Sequence, residues 1–285
     1  MEQRLTDLQR HRSTVSAFGD LAAAMRGVAA ARAQHARRLI AGVDAYAGTV
    51  AMAMAQARAL LPPGTGAAEA ATQAPVLWVL IGGEQGFNAG FSERVLNAAP
   101  QALGGRVLLL GTKLLRLAQA RGCRPEWSAP MIAHAEAATD TADALHRALA
   151  TALASRPAGG VELVGAESAD ELHGGEIVVR RRRLLPIEPD AADGVQVPAG
   201  PAPCVHMPPA RLLDELAFEH LAAQLVRAVL HGHAAECLAR LRAMSAAEKN
   251  VERMLQSLDG EMRRRRQEAI TAEIVELAAA LRSSS

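Results

Sequence analysis

The stretch AECLARLRAMSAAEKNVERMLQSLDGEMRRRRQEAITAEIVELAAAL, residues 235–281, contains no proline and repeats its apolar residues at helical spacing. Val251, Leu255, Leu258 and Met262 form one stripe, and Ile270, Ile274, Leu277 and Leu281 form a second beyond four consecutive arginines, Arg263 to Arg266. The step from Met262 to Ile270 breaks the three–four rhythm, so the seam shifts around the arginines. Upstream, Leu213, Leu216, Leu221, Leu225 and Val229 give a further stripe in the same proline-free run, and the sequence predicts one helix over 210–285. A helix of that length has no globular core of its own and needs a partner to cover its apolar side.

The partner lies at the other end of the chain. Residues 1–61 also lack proline and read as a long helix. Val15, Phe18, Ala22, Met25 and Ala29 alternate steps of three and four along one seam. Leu5 and Leu8 extend it backwards; Leu39, Val43 and Tyr46 continue an apolar face forwards. Pro62, Pro63 and Gly64 stop this helix, and a linker of small residues runs to about residue 73. The economical solution is that the two terminal helices pair as a coiled coil; the pattern leaves their relative direction open.

The middle of the chain changes character. PVLWVLIGG (75–83) and RVLLLGT (106–112) are short, nearly continuous apolar runs, as in strands covered on both faces. GVELVGA (160–166) and EIVVRRRRLLPI (176–187) are two more strand candidates, and residues 91–103 and 137–154 read as helices. Strands alternating with helices predict an inserted α/β domain over 74–205 with a largely parallel sheet. A proline-rich loop, 197–209, closes it.

Composition narrows the function classes. Of 285 residues 50% are hydrophobic yet only 2% aromatic, which suits slender alanine-rich helices better than a thick core. Lys+Arg is 31 against Asp+Glu 30, a balance that argues against a dedicated nucleic-acid binder. Cys123, Cys204 and Cys237 are far apart and odd in number, with no CxxC motif, which fits a reducing cytoplasm. The charged N-terminus lacks a signal-peptide core, and the longest apolar run, 76–81, is too short to cross a bilayer. Any membrane contact is expected to come through partners.

Individual motifs point away from an active site. IGGEQGFNAGF (81–91) follows a strand and precedes a helix, where a phosphate loop would sit, but it has neither the GxGxxG nor the GK[ST] spacing. A structural turn is the reading taken. His233 and Cys237 share a helical face with His231 nearby, a poor zinc set that is read as exposed helical side chains. The run Arg180 to Arg183 is read as a solvated basic face, and Arg263 to Arg266 as contact with an acidic partner. No catalytic, cofactor or metal residues are assigned.

With these residues in view, the C-terminal stretch resembles the end of ATP synthase gamma subunits. That family carries SE…ARM-x-AM…A…N and then RQ-x-x-IT-x-E-x-x-E. Glu236, Arg240, Ala243, Met244 and Asn250 match the first part, and Arg266, Gln267, Ile270, Thr271, Glu273 and Glu276 the second. AMRGVAAARAQHA (24–36) is similar to the family's AM-x-x-VAA-x-K, with Met25 in register and Arg32 in place of the lysine. GGEQGFNAGFS looks like the family's SDRGLCGGFN, keeping Gly86, Gly90 and Phe91, and LLPIEP (184–189) sits at its LLPL. The chain reads LAAAM where the family has ITKAM, and the glycine motif has lost its SDR and its cysteine, which marks a diverged bacterial member.

The resemblance implies a long antiparallel coiled coil with an inserted Rossmann-like domain that holds no nucleotide. It implies a non-catalytic rotor shaft coupling ion flow to ATP synthesis or hydrolysis, at the cytoplasmic face of the bacterial inner membrane. Its implied partners are the alpha and beta subunits of the catalytic hexamer, the epsilon subunit and the membrane c-ring. Met25, Arg32, Arg240, Arg266, Gln267, Thr271, Glu273 and Glu276 are the implied subunit-interface residues. Two other classes remain: a dinucleotide-binding enzyme with helical oligomerisation arms, and a coiled-coil tether or signalling protein.

Overall fold

The computed structural model describes residues 2–62, 74–88, 90–168, 177–187 and 204–283. The expected linker after the first helix and most of the 197–209 loop lie outside these. Both long helices form as the sequence predicts: α1 spans Glu2–Ala59 and α5 spans Pro209–Ser283. Turn bonds from the amides of Leu60 and Leu61 to the carbonyls of Ala57 and Arg58 close α1 just before Pro62, which has no N–H to continue it. Pro209 opens α5 at a position where its missing donor costs nothing.

The chain divides into two compact units, Met1–Val28 with Leu241–Ser285, and Ala29–Arg240, and both long helices contribute residues to each. The units therefore cut across the sequence segments, because half of each long helix packs with the sheet.

In the first unit the helices run antiparallel. Arg12 Nε donates to Asp259 at 2.7 Å and Arg26 Nε to Glu248 at 2.8 Å, so α5 numbers fall as α1 numbers rise. Val15, Val251 and Leu258 form the buried centre, with Leu8 and Leu255 against it. A Cβ on Gly19 would lie 2.9 Å from Val251 Cγ1, so the backbones approach closely there. The seam on α1 thus runs through 8, 12, 15, 19, 22 and 26, and on α5 through 248, 251, 255, 258 and 262, both in alternating steps of four and three. Phe18, expected on the seam, is instead 47% exposed. It has the right hydrophobicity and the wrong phase, since glycine at the neighbouring position lets the helices close where a phenyl ring would hold them apart.

The second unit carries the thick core. A five-stranded sheet is built from β1 (Leu77–Ile81), β2 (Arg106–Leu110), β3 (Trp127–Ala129), β4 (Val161–Ser168) and β5 (Ile177–Leu185) in the order β3-β2-β1-β4-β5. All neighbours are parallel except β4 and β5. Leu77, Val79, Ile81, Leu108 and Leu110 point to one face, where they meet α4 (Ala138–Ser155) and the facing sides of α1 and α5 through Ala36, Leu145, Leu149, Leu225 and Val229. The alternate strand residues turn to the opposite face, and α2 (Phe91–Ala98) and α3 (Thr112–Ala120) pack against the sheet. The sequence reading missed α3 and the three-residue β3, which are too short to carry a period. In this unit too, α1 and α5 are antiparallel: Tyr46 bonds Glu219, and Arg227 pairs with Asp44.

Candidate functional site

The glycine-rich loop after β1 is where an α/β sheet of this kind would hold a phosphate, at the carboxyl ends of its strands. Here the amides are already occupied. Glu84 N donates to Glu236 Oε2 and Gln85 N to Glu236 Oε1, both at 3.0 Å, so one α5 carboxylate bridges two consecutive loop amides. Arg240 Nη2, one helical turn on, donates to the same Oε1 at 2.8 Å. Glu84 turns the other way: its carboxylate accepts from Thr112 N at 2.9 Å, Thr112 Oγ1 at 2.6 Å and Met131 N at 2.8 Å, filling the start of α3. Burial disfavours the charged form of Glu84, but the bonds from Thr112 and Met131 outweigh it and hold the carboxyl below its ordinary range. Gly83 is needed for close approach, since a Cβ there would sit 2.4 Å from Asn88 Nδ2 and 3.3 Å from Glu236 Oε1. The loop is thus a structural turn, the reading taken from the sequence; that two side-chain carboxylates lock it was not foreseen, and it presents Phe87 to solvent with φ +57°.

His233 and Cys237 are a correction to that reading. They face inward rather than outward, 4% and 1% exposed, with Sγ 3.8 Å from Nε2. Burial, then the nearby charges of Arg32 and Arg240, lowers His233 to about 4, so the imidazole is neutral at pH 7. Burial raises the Cys237 thiol to about 11, which leaves it an unreactive small apolar group. Among the described residues no group of three His, Cys, Asp or Glu is arranged to hold a metal, and no helix is long and apolar enough to cross a membrane.

Arg180, Arg181 and Arg183 of the first arginine run are exposed, as the sequence reading has it, and the run is also paired. Glu162 on β4 is 5% exposed and takes Arg181 at 3.2 Å and Arg183 at 3.4 Å, while the Arg181 guanidinium lies 4.6 Å over the Trp78 ring. Arg182 donates to Gln224. The lone acid inside GVELVGA was the signal for this pairing.

The far end of α5 is different. Arg12 already faces Asp259, so Glu2 is level with about residue 269, and among the described residues α1 places none opposite the later part of α5. Ile270, Ile274, Val275 and Leu277 are 57%, 60%, 62% and 61% exposed. The expectation that Ile270, Ile274 and Leu277 complete a seam with α1 is therefore corrected: the stripe exists, but it is exposed, and no described residue of α1 covers it. The side chain of Leu281 lies outside those described.

A helical pair around an α/β body, with a nucleotide-type loop closed by the chain's own carboxylates, matches one family over nearly its whole length: a profile described as ATP synthase covers residues 4–283. The chain belongs to the ATP synthase gamma-chain family. The gamma chain of Chlorobaculum parvum is 37% identical over 101 residues, 35% of this chain and 34% of that relative, so the alignable part spans about a third of the relative's length. Among solved structures, the fold is shared with chains in a Euglena gracilis mitochondrial ATP synthase rotor (TM-score 0.63, 12% identity, 95% of this chain and 100% of that one). A second Euglena gracilis structure, of OSCP, F1 and c-ring, gives TM-score 0.65 at 13% identity over 99% of this chain and 95% of that one.

The residues that the resemblance implies as interface positions fall into three groups. Arg266, Gln267, Thr271, Glu273 and Glu276 are exposed on α5, the Thr271 hydroxyl bonding back to the Gln267 carbonyl. Met25 and Arg32 are half-buried on α1. Arg240, 8% exposed, is turned inward onto Glu236. Sequence reasoning missed Glu84 and the part played by Glu236. Both lie in quoted motifs, but spacing alone does not say that one carboxylate reaches the other's loop across 152 residues.

Proposed function

We propose that the chain is the central rotor shaft of an ion-translocating rotary ATP synthase, a non-catalytic subunit that couples ion flow to ATP chemistry on other chains. The observation that carries this reading is the end of α5, a single helix exposing Ile270, Ile274, Val275 and Leu277 beside Arg266, Gln267, Thr271, Glu273 and Glu276. Apolar surface of that kind calls for an enclosing partner. The sleeve of a hexamer of alpha and beta subunits supplies one, with the polar residues and Met25 and Arg32 meeting the catalytic subunits. Arg240, through Glu236, holds the Glu84–Gln85 loop of the α/β unit instead. The α/β unit is then the foot on the epsilon subunit and the c-ring, which keeps the shaft peripheral at the cytoplasmic face of the bacterial inner membrane.

The mechanism is differential contact. A tip made of one helix is asymmetric, so each of three surrounding beta subunits meets a different face and is biased to a different conformation. Turning the shaft passes those biases around the ring, which links rotation to nucleotide binding and release. The enzyme alternative gains no support from the loop, whose amides Glu236 occupies.

Co-purification with the alpha and beta subunits of the same cell tests this directly. The complex should form, and Met25→Lys should leave it assembled and hydrolysing ATP while ion transport falls, because a charge at a half-buried position beside the seam must be desolvated or held away from its neighbours. Failure to co-purify, or micromolar ATP binding by the isolated chain, would sink the shaft reading.

A further inference from the structure

We infer that the cradle formed by the amides of Glu84 and Gln85 and the Arg240 guanidinium is an oxyanion site, and that Glu236 is its permanent, chain-supplied ligand. A carboxylate taking one consecutive backbone N–H on each oxygen is bound as a phosphate or a free carboxylate would be. The third donor is cationic, and it is committed: Arg240 is 8% exposed, its Nη2 is on Glu236 Oε1, and its buried Nε has no hydrogen-bond partner. An arginine buried to that degree needs a paired anion to offset its desolvation, and Glu236 supplies it. Gly83 gives the pocket its closeness, since a Cβ would come within 3.3 Å of the bound oxygen.

The ligand is the end of a helical side chain, so the site does two things at once. It removes the amides that a nucleotide phosphate would need, and it ties the β1–α2 loop, with Phe87 at its tip, to α5. Glu236 is in this sense a positioning residue: it fixes the loop and the arginine without meeting any substrate. Glu236→Ala should uncover a vacant site for a small oxyanion, with formate and inorganic phosphate as the natural probes. Glu236→Gln should not restore it, because an amide offers one acceptor and turns its own donors towards N–H groups or the guanidinium.

The experiment uses the full chain. Thermal unfolding of wild type, Glu236→Ala, Glu236→Gln and Glu236→Ala/Arg240→Ala is followed in formate, in phosphate and in chloride at equal ionic strength. Glu236→Ala should melt about 6–10 °C below wild type, as expected for one half of a buried charged pair. Millimolar formate or phosphate, but not chloride, should recover part of that loss, and calorimetry should detect formate binding to Glu236→Ala and not to wild type. The double variant should lose the rescue. If Glu236→Ala does not fold, its refolding yield in formate against chloride reads the same quantity. Equal melting or equal yield in all three salts overturns the inference, as does formate or phosphate binding to wild type that matches the variant. None of these readouts involves assembly or ATP, so the outcome stands apart from that of the shaft reading.

Discussion

The two units use the same pair of helices in opposite ways. In Ala29–Arg240 the facing sides of α1 and α5 join a sheet and α4 around fully buried leucines, Leu145, Leu149 and Leu225 among them. In Met1–Val28 with Leu241–Ser285, the same helices bury a small centre of Val15, Val251 and Leu258, each about 8% exposed, with Ala22 and Met244 also buried, and carry two surface ion pairs at seam positions. One region is held by burial, the other by backbone approach and register. The difference teaches that the thin unit is the part able to change its contacts with neighbours at low cost, because little apolar area is committed to its own interior.

The largest effect should therefore come from the thick unit. Leu225→Ala removes a fully buried side chain from a closed core and should cost about 2–5 kcal/mol in denaturant unfolding, with a clear fall in midpoint. Val15→Ala, in the thin unit, should cost visibly less. Equal losses would show that the coil is as tightly committed as the core.

Next comes acid. His233 is held near 4 against an ordinary 6.5, so its neutral form is favoured in the folded state. Its contribution is fully present above pH 6.5 and is lost as pH falls from there to about 4, on the order of 3 kcal/mol in total. Hydrogen exchange around 225–237 should accelerate across that window, and His233→Gln should flatten the response. An unchanged profile in the variant would mean that another group carries the acid sensitivity.

What could be read from the sequence follows the same division. Long proline-free helices and continuous apolar strands announce themselves by period and length, so α1, α5, β1, β2, β4 and β5 were legible. Phe18 was misplaced because hydrophobicity does not fix phase when the seam is made of glycine and alanine. His233 and Cys237 were misjudged because burial of a polar group depends on partners far away in sequence, and the pairing of the half-exposed Arg181 with Glu162 was not legible for the same reason. The exposed α5 residues expected at an interface were reached through resemblance, since no local pattern distinguishes them from ordinary helical surface.

A third test sharpens the comparison inside the thin unit. Gly19→Leu places a side chain where even a Cβ would meet Val251 at 2.9 Å, so the helices must separate or Val251 must move. A cost of about 1–3 kcal/mol is expected, as for overpacking elsewhere. Gly19→Leu/Val251→Ala should recover most of it, and the coupling in the double-mutant cycle measures how closely the two backbones are held. Additive effects would mean that the close approach at this point is not a constraint.

The smallest effect belongs to the ion pair between Arg12 and Asp259, and its pH window separates the two regions most cleanly. Both side chains are largely in water, 45% and 40% exposed, so the attraction is screened and each long side chain gives up freedom to hold it. The hydrogen bond from Arg12, then its charge and that of Arg263, nonetheless lowers the Asp259 carboxyl below its ordinary range. A depressed carboxyl stabilises the fold above its unfolded pKa, and that contribution disappears as pH falls through the folded value. The thin unit should therefore ignore the window in which His233 titrates and loosen only in stronger acid, through the carboxylate range. Exchange at residues 8–26 and 248–262 should show this later, shallower response, and added salt should reduce it while leaving the His233 transition in place. Arg12→Ala should remove the acid response of this stretch with little change in the overall unfolding midpoint. If exchange in the thin unit instead rises together with that around His233, the two regions open as one, and the contrast between a committed core and a lightly held coil fails.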